Sequence, residues 1–297
     1  MIKQRLVFDF AEQRIAYTLF RSSQSLNSSI ETPRRIVLLH GAGVAGELTW
    51  TFIVNYLNHW DEVLVPDLLG MGESYYDSDD LLSFSIKDIC HSLFAVLRHH
   101  NWTIIDLAGY SLGGLVAIEL NSEAKKELDE HAQPDIEINQ LCLIEPALFS
   151  DQSLQAALVF RQAFVPLAAN IQAEPNNDQH FLDFLNLVSP HRKRSERMDK
   201  LAIQRLQARP LGFAKALAAV SQYADQLDEY GLQRLMSSIP RGLGIIGGLS
   251  NPGLMLAQKK IQQQQSGWHI EILANADHSL VYARPRRVAQ LINQHLG

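Results

Sequence analysis

Short apolar runs alternate with longer amphipathic stretches along the first half of the chain. The apolar runs suit strands that are covered on both faces, and the amphipathic stretches have the apolar spacing of helices. This alternation predicts a mostly parallel sheet with helices on both faces, opened by an antiparallel hairpin. The predicted strands are 6–10, 14–20, 36–39, 63–65, 104–108 and 141–144, and the predicted helices are 48–59, 86–99 and 115–128.

A long helical block interrupts the alternation after Glu145. From 149 to about 236 the pattern is helical almost throughout, with prolines between the helical stretches and no convincing strand. Two further strands, 242–246 and 269–273, and a final helix, 285–295, follow. We therefore predict an insertion after the sixth strand of one eight-stranded sheet. The chain then divides into a first core segment 1–148, a helical insertion 149–237 and a second core segment 238–297.

The composition favours a globular protein that acts on a small molecule. With 297 residues and 46% hydrophobic content, the chain can bury a sizeable core. The net charge of -6 provides no broad basic field for nucleic acid or an anionic membrane.

Two cysteines, Cys90 and Cys142, make no disulfide framework, and neither a signal peptide nor an 18-residue apolar run is evident. We expect a cytoplasmic protein without a membrane span, a metal or a cofactor.

The stretch Gly109-Tyr110-Ser111-Leu112-Gly113 has the pattern G-x-S-x-G, directly between a predicted strand and a predicted helix. At such a junction the pattern is typical of a nucleophile elbow, where the serine lies on a turn that leaves room only for glycine on either side. The structural alternative is a glycine-rich turn with a solvated serine.

A second glycine motif predicts a different chemistry. The segment 41–46 reads G-x-G-x-x-G, and Asp67 follows it by about the spacing of a dinucleotide-binding fingerprint. However, the motif follows the third predicted strand instead of the first, and Asp67 leads into a glycine-rich loop instead of a helix. An NAD(P) enzyme therefore stays a less favoured alternative.

Four segments in this order resemble the α/β-hydrolase superfamily, and within it the cap-bearing serine hydrolases that include esterases and lipases. The resemblance implies an α/β-hydrolase fold, in which the insertion is a helical cap over the site. The segments are Leu39-His40-Gly41-Ala42-Gly43, the loop 66–74, the elbow 109–114 and Ala276-Asp277-His278.

The resemblance also implies a mechanism. Ser111 would attack an acyl carbonyl, and His278 would take the serine proton and return it to the leaving group. The backbone N–H groups of Ala42 and Leu112 would hold the negative oxygen that develops. We expect the substrate to be a small or medium, largely apolar ester.

The chain departs from the family pattern at the acid. The family usually carries an aspartate after the seventh strand, where this chain has Asn251. A neutral carboxamide cannot stabilise an imidazolium as a carboxylate does. Glu145, which ends the sixth strand, is the candidate acid that we favour, because some α/β-hydrolases carry the acid at that position. Asp277 ranks lower because it adjoins His278.

Two alternatives to ester hydrolysis remain open at this point. One is hydrolysis of a carbon–carbon bond by the same serine and histidine, and the other is a catalytically silent relative that only binds a ligand.

Five phenylalanines of the insertion are candidates to line an apolar site or to pack its helices together; they are Phe160, Phe164, Phe181, Phe184 and Phe213.

Overall fold

A single sheet of nine strands is the framework of the computed structural model, which describes residues 1–23, 32–76, 83–130, 136–148, 153–192 and 194–297. The strand order is β1-β2-β4-β3-β6-β7-β8-β9, and β5 pairs with β2. The strands are β1 (Ile2–Phe10), β2 (Gln13–Arg21), β3 (Arg35–Leu39), β4 (Glu62–Pro66), β5 (Tyr75–Tyr76), β6 (Ile104–Tyr110), β7 (Glu137–Ile144), β8 (Gly242–Gly247) and β9 (Trp268–Leu273).

The first two strands form the predicted antiparallel hairpin, and β2 also pairs antiparallel with β4. Ala11 and Glu12 connect β1 to β2 with φ angles of 45° and 63°. Two left-handed residues in a two-residue turn match the right-handed twist of the strands. Along the sheet, in the order β4-β3-β6-β7-β8-β9, all neighbouring strands are parallel, as the alternation with helices predicts.

Helices cover both faces of the sheet. One face packs mainly against the helices 86–99 (α2) and 112–130 (α3), and the other against the helices 46–54 (α1) and 285–296 (α12). The helices are α1 (Gly46–Val54), α2 (Ile86–His99), α3 (Leu112–Glu130), α4 (Leu154–Gln162), α5 (Phe164–Ala173), α6 (Asp178–Val188), α7 (Glu196–Leu206), α8 (Pro210–Asp225), α9 (Glu229–Ser238), α10 (Gly253–Gln264), α11 (Leu280–Ala283) and α12 (Pro285–Leu296).

Two local predictions differ from the structure. The first helix ends at Val54 instead of residue 59, because Tyr56 and Leu57 close short turns onto Ile53 and Val54 before β4 begins. The two-residue strand β5 is also absent from the prediction. It forms only because it pairs with Gln13 and Arg14 of β2, and local sequence does not report such a long-range contact.

Six helices, α4 to α9, occupy the described part of the chain between β7 and β8, and no strand occurs among the residues described there. The predicted start of the insertion at Phe149 lies outside the described residues. These helices have a hydrophobic cluster of their own, in which Phe164, Phe181 and Phe213 are buried. Helix α8 also contributes Ala216 and Val220 to the main core. Helices α4 and α9 contribute to the main core as well, so the insertion packs onto the rest of the protein through α4, α8 and α9.

One segment of the insertion, Leu154–Ala173, is long and apolar enough by length and composition to cross a membrane, and 39% of its most apolar window is buried. The segment turns at Ala163 between α4 and α5, and it carries the buried cation Arg161. Core helices of globular proteins meet the same criterion, so length and composition assign no membrane role to this segment.

Candidate functional site

The candidate site lies at the carboxyl ends of the parallel strands. Ala42 follows β3, Ser111 follows β6, Glu145 follows β7 and His278 follows β9. Because these strands are neighbours or near neighbours in one parallel sheet, the loops after them meet at one edge. The sheet order thus brings together residues that are more than 200 positions apart in the chain.

Ser111 lies on a sharp turn between β6 and α3. Its φ angle is 54°, in the left-handed region that non-glycine residues rarely adopt. A Cβ atom on Gly109 would lie 2.2 Å from the Gly113 oxygen, and one on Gly113 would lie 2.4 Å from the Leu39 oxygen. Neither position has room for a side chain, so the two glycines permit the tight turn.

Three side chains form one hydrogen-bonded series. Glu145 Oε2 lies 2.5 Å from His278 Nδ1, and His278 Nε2 lies 3.1 Å from Ser111 Oγ. The Glu145 side chain is fully buried, and that of His278 is 12% exposed. Since an ionised carboxylate only accepts, Nδ1–H donates to Glu145 and Nε2 can accept from the serine hydroxyl. Such a series can remove the hydroxyl proton as the oxygen attacks an electrophile.

Further hydrogen bonds hold the acid and the imidazole. The backbone N–H of Gly247 donates to Glu145 Oε1 at 2.6 Å. The N–H of His278 donates to Ser189 Oγ at 2.9 Å, and the Tyr110 hydroxyl donates to the His278 carbonyl at 2.7 Å. Burial raises the pKa of Tyr110 well above its ordinary value, so the hydroxyl keeps its proton for this bond.

The two other candidate acid positions face different partners. Asn251 Oδ1 accepts from the N–H of Gly253 at 2.9 Å, although the residue lines the cavity. Asp277 Oδ1 accepts from the N–H of Ser279 at 2.9 Å. Among the described contacts neither side chain bonds the His278 ring.

Two backbone N–H groups near the serine have no hydrogen-bond partner among the described residues. Ala42 and Leu112 line the cavity beside Ser111, and no described residue accepts a hydrogen bond from either N–H group. Leu112 is the first residue of α3, so its N–H lies at the positive end of the helix dipole. Unpaired N–H groups of this kind can donate hydrogen bonds to an oxygen that becomes negative.

His40 fixes the loop that carries Ala42. Its Nε2 accepts from the N–H of Leu68 at 2.8 Å, and its Nδ1 lies 2.7 Å from the carbonyl oxygen of Gly41. Burial lowers the pKa of His40, which keeps the ring neutral with its proton on Nδ1. The ring therefore connects the loop after β3 to the loop after β4.

The cavity at Ser111 has two lobes that meet at Ala42, Ser111, Phe184 and His278. The first lobe has a volume of about 60 Å³ and the second about 50 Å³. Phe160, Arg161, Phe164, Leu217 and Val220 are among the residues that line only the first lobe, and Val44, Arg205, Leu206 and Tyr282 are among those that line only the second.

Three of the five candidate phenylalanines line the cavity, namely Phe160, Phe164 and Phe184. Phe181 and Phe213 do not line either lobe. Their rings stack on each other at 5.9 Å between centroids, and both side chains are fully buried in the cluster of the insertion. They pack helices together, because their rings are fully buried against each other and line neither lobe.

Sequence reasoning missed Ser189, the Tyr110 hydroxyl and Arg161. Ser189 and Tyr110 reach the His278 backbone only after the chain has folded, so no local signal marks them. A local signal does mark Arg161, because it is the only charged residue in the apolar stretch Leu154–Ala173. A single cation in an apolar stretch that folds as a helix indicates a specific task, because arginine is rarely buried without a partner.

Asp67, the acidic residue of the competing dinucleotide-binding motif, makes its hydrogen bonds within the protein. The Asp67 carboxylate accepts from the N–H groups of Gly46 and Glu73 at 2.8 and 3.0 Å and also pairs with Arg5. Its side chain is fully buried, so it presents no free oxygen to a ribose. Within the described residues no group of three or more His, Cys, Asp or Glu side chains could hold a metal ion.

Comparisons with known proteins agree with this fold. Residues 36–291 match the model of the alpha/beta hydrolase family, and no curated protein sequence matches the chain. Similar solved structures include an alpha/beta hydrolase from a Medee basin deep-sea metagenome library (TM-score 0.72, 15% identity, 98% of this chain and 97% of that chain). They also include an enol-lactonase from Burkholderia xenovorans LB400 (0.70, 17%, 98% and 99%) and an esterase from Exiguobacterium antarcticum (0.70, 14%, 96% and 96%). At these identities the likeness concerns the fold.

Proposed function

The chain belongs to the alpha/beta hydrolase family, and from that premise we propose that it is a serine hydrolase that cleaves a small or medium ester through an acyl-enzyme on Ser111. The observation that carries the proposal is the series from Glu145 through His278 to Ser111, with contacts of 2.5 and 3.1 Å. Serine, acid and histidine follow one another in the chain order of this fold.

In the proposed reaction, Ser111 Oγ attacks the acyl carbon while its proton moves to His278 Nε2. The carbonyl oxygen becomes negative and takes hydrogen bonds from the N–H groups of Ala42 and Leu112, each worth roughly 3 kcal/mol of barrier. His278 then protonates the departing alcohol, and the bond between acyl carbon and alcohol oxygen breaks. Water hydrolyses the acyl-enzyme by the same proton transfers in reverse, which restores the serine.

Glu145 acts in this scheme as the acid that orients and stabilises the His278 ring. Its carboxylate is the only one among the described residues that bonds the imidazole. This weakens the alternative of a catalytically silent relative, because that alternative depended on a missing acid at Asn251.

We assign the helical insertion, with bounds 149–237, the role of a cap. Phe160, Phe164 and Phe184 supply an apolar wall of the cavity from the insertion, opposite Ser111 on the sheet edge. An apolar wall of this kind excludes water and favours an apolar part of the substrate.

A fluorophosphonate probe tests the proposal directly, because it forms a stable bond only with an activated serine. We expect the probe to label the purified protein, mass spectrometry of the peptides to place the label on Ser111, and Ser111→Ala to abolish labelling. Hydrolysis of 4-nitrophenyl esters from acetate to decanoate should accompany labelling. A protein that is folded by circular dichroism but neither labelled nor active on the series would contradict the proposal.

A further inference from the structure

Arg161 is a buried cation that lines the first lobe of the cavity, and no carboxylate among the described residues pairs with it. Its residue is 6% exposed, and Nη2 donates to the Leu217 carbonyl at 2.9 Å and to Ser221 Oγ at 3.0 Å. Its guanidinium carbon lies 4.0 Å from the centroid of the Phe164 ring. Among the described residues neither Nε nor Nη1 finds an acceptor, and Nε is fully buried.

The hydrogen bonds of Arg161 do not require its charge. The two bonds of Nη2 connect α4 to α8, and a neutral donor could make them without the cost of burying a cation. Burial lowers the pKa of Arg161 to about 9, which the negative charge of Asp225 opposes. The guanidinium therefore keeps its charge at neutral pH. A water molecule would satisfy a free N–H but would bring no negative charge to pair with the guanidinium.

The surroundings strengthen the attraction for an anion. Phe160, Phe164, Leu217 and Val220 line the same lobe with apolar surface. Glu145, the carboxylate that also lines it, is engaged by His278 and Gly247. In a site with little water, the field of one cation is screened less than at the surface. A carboxylate is an anion that an ester substrate can carry and that a guanidinium binds through charge-assisted hydrogen bonds.

We propose that Arg161 binds a carboxylate of the substrate, so that the preferred substrates are esters in which the part entering the first lobe ends in a carboxylate. The proposal rests on the proposed function, because the ester bond must lie at Ser111 when the carboxylate lies at Arg161. The expected substrate is then not a neutral apolar ester but an anionic ester, in which an apolar chain separates the ester bond from the carboxylate.

Matched esters measure the preference in the unaltered protein. Monoethyl adipate differs from ethyl hexanoate only by a terminal carboxylate in place of a methyl group, and monoethyl succinate and glutarate shorten the spacer. Butyrate esters of 4-hydroxybutanoate and of 1-butanol provide the same comparison on the alcohol side. We expect kcat/KM for one carboxylate ester to exceed that of its neutral partner by roughly 10- to 100-fold, the size of a charge-assisted hydrogen bond.

Two variants locate the preference. Arg161→Met should reduce the ratio of kcat/KM between the charged and neutral ester to about one, and Arg161→Lys should retain part of it. Arg286→Met is the matched control, since Arg286 is also stacked on an aromatic ring, that of Tyr56, but is exposed and does not line either lobe. This control should keep the ratio of the unaltered protein.

The outcomes separate the two proposals. If Ser111 is labelled by the fluorophosphonate and neutral esters are hydrolysed, but no carboxylate ester is preferred on either side, Arg161 does not bind a substrate anion and the proposed function stands. If no ester is hydrolysed and Ser111 is not labelled, the proposed function itself fails. Should Arg161→Met misfold, the ratio in the unaltered protein still decides the question.

Discussion

Replacing Glu145 by glutamine tests the acid with the smallest change of shape. The carboxylate accepts from Gly247 N–H through Oε1 and from His278 Nδ1–H through Oε2. A glutamine has one oxygen, and the buried Gly247 N–H holds that oxygen, since an N–H opposite an NH2 group would be left unsatisfied. The amide NH2 then faces His278 and forces the ring proton from Nδ1 to Nε2.

The magnitude follows from the change of tautomer. With the proton on Nε2, His278 has no lone pair for the hydroxyl of Ser111 at 3.1 Å. The imidazolium that forms in the reaction also loses a charged hydrogen bond, which is worth roughly 1.5–3 kcal/mol. Replacing the acid by its amide in a comparable series lowers kcat by about 10⁴, or ~5.5 kcal/mol of barrier. We expect a loss of the same order for Glu145→Gln.

Hydrolysis of 4-nitrophenyl butyrate measures kcat, and circular dichroism with thermal unfolding verifies the fold. Glu119→Gln is the matched control, because Glu119 is a buried carboxylate that accepts from the Tyr223 hydroxyl at 2.6 Å and does not line the cavity. Asn251→Ala should lower kcat less than tenfold. If Glu145→Gln keeps more than a tenth of kcat while Asn251→Ala loses orders of magnitude, the acid function belongs to the loop after β8.

Three more outcomes follow from the contacts around the site. Ser111→Ala should lower kcat on the same ester by at least about 10⁴-fold, and a smaller loss would place the nucleophile elsewhere. Tyr110→Phe leaves the His278 carbonyl without its donor and should cost roughly 1–3 kcal/mol of unfolding free energy in urea titrations; an unchanged midpoint would contradict the bond. Because burial lowers the pKa of His40 below 6.5, the unfolded chain binds a proton that the folded chain refuses as the pH falls below that value. His40 should therefore make the protein less stable at pH 5.5 than at pH 7.5, and urea titrations at both pH values should show the loss; a rise in stability towards low pH would contradict it.

Strand ends could be predicted from the sequence, and with them most of the candidate site. In a parallel sheet the loops that follow the strands lie at the same edge. The ends of the apolar runs in the sequence therefore predict that Ser111, Glu145 and His278 lie close together. The choice of Glu145 as the candidate acid combined this rule with the position of the acid in some α/β-hydrolases, and the distance of 2.5 Å to His278 Nδ1 agrees with it.

Contacts that depend on how the insertion packs could not be predicted in the same way. Ser189 ends a helix of the insertion and reaches the backbone of His278, 89 positions further along the chain. Phe181 and Phe213 have the same helical pattern as Phe184, yet only Phe184 reaches the cavity, because the first two rings stack on each other. Helical periodicity identifies an apolar face but does not say whether a helix or a ligand covers it.

The turn of Ser111 and the turn of Glu145 form one hydrogen-bonded unit, which explains how the acid can stand at the end of β7. The N–H of Ser111 donates to the Ile144 carbonyl, and the N–H of Ala147 donates back to the Ser111 carbonyl, both at 2.9 Å. Ser111 and Glu145 have φ angles of 54° and 47°, so each turn is strained and each supports the other. The strand β8 then needs no acidic side chain, because it contributes the backbone N–H of Gly247 that fixes the carboxylate. Under the proposed mechanism, Asn251 would not mark a lost acid, because Glu145 would supply the acid function from one strand closer to the serine.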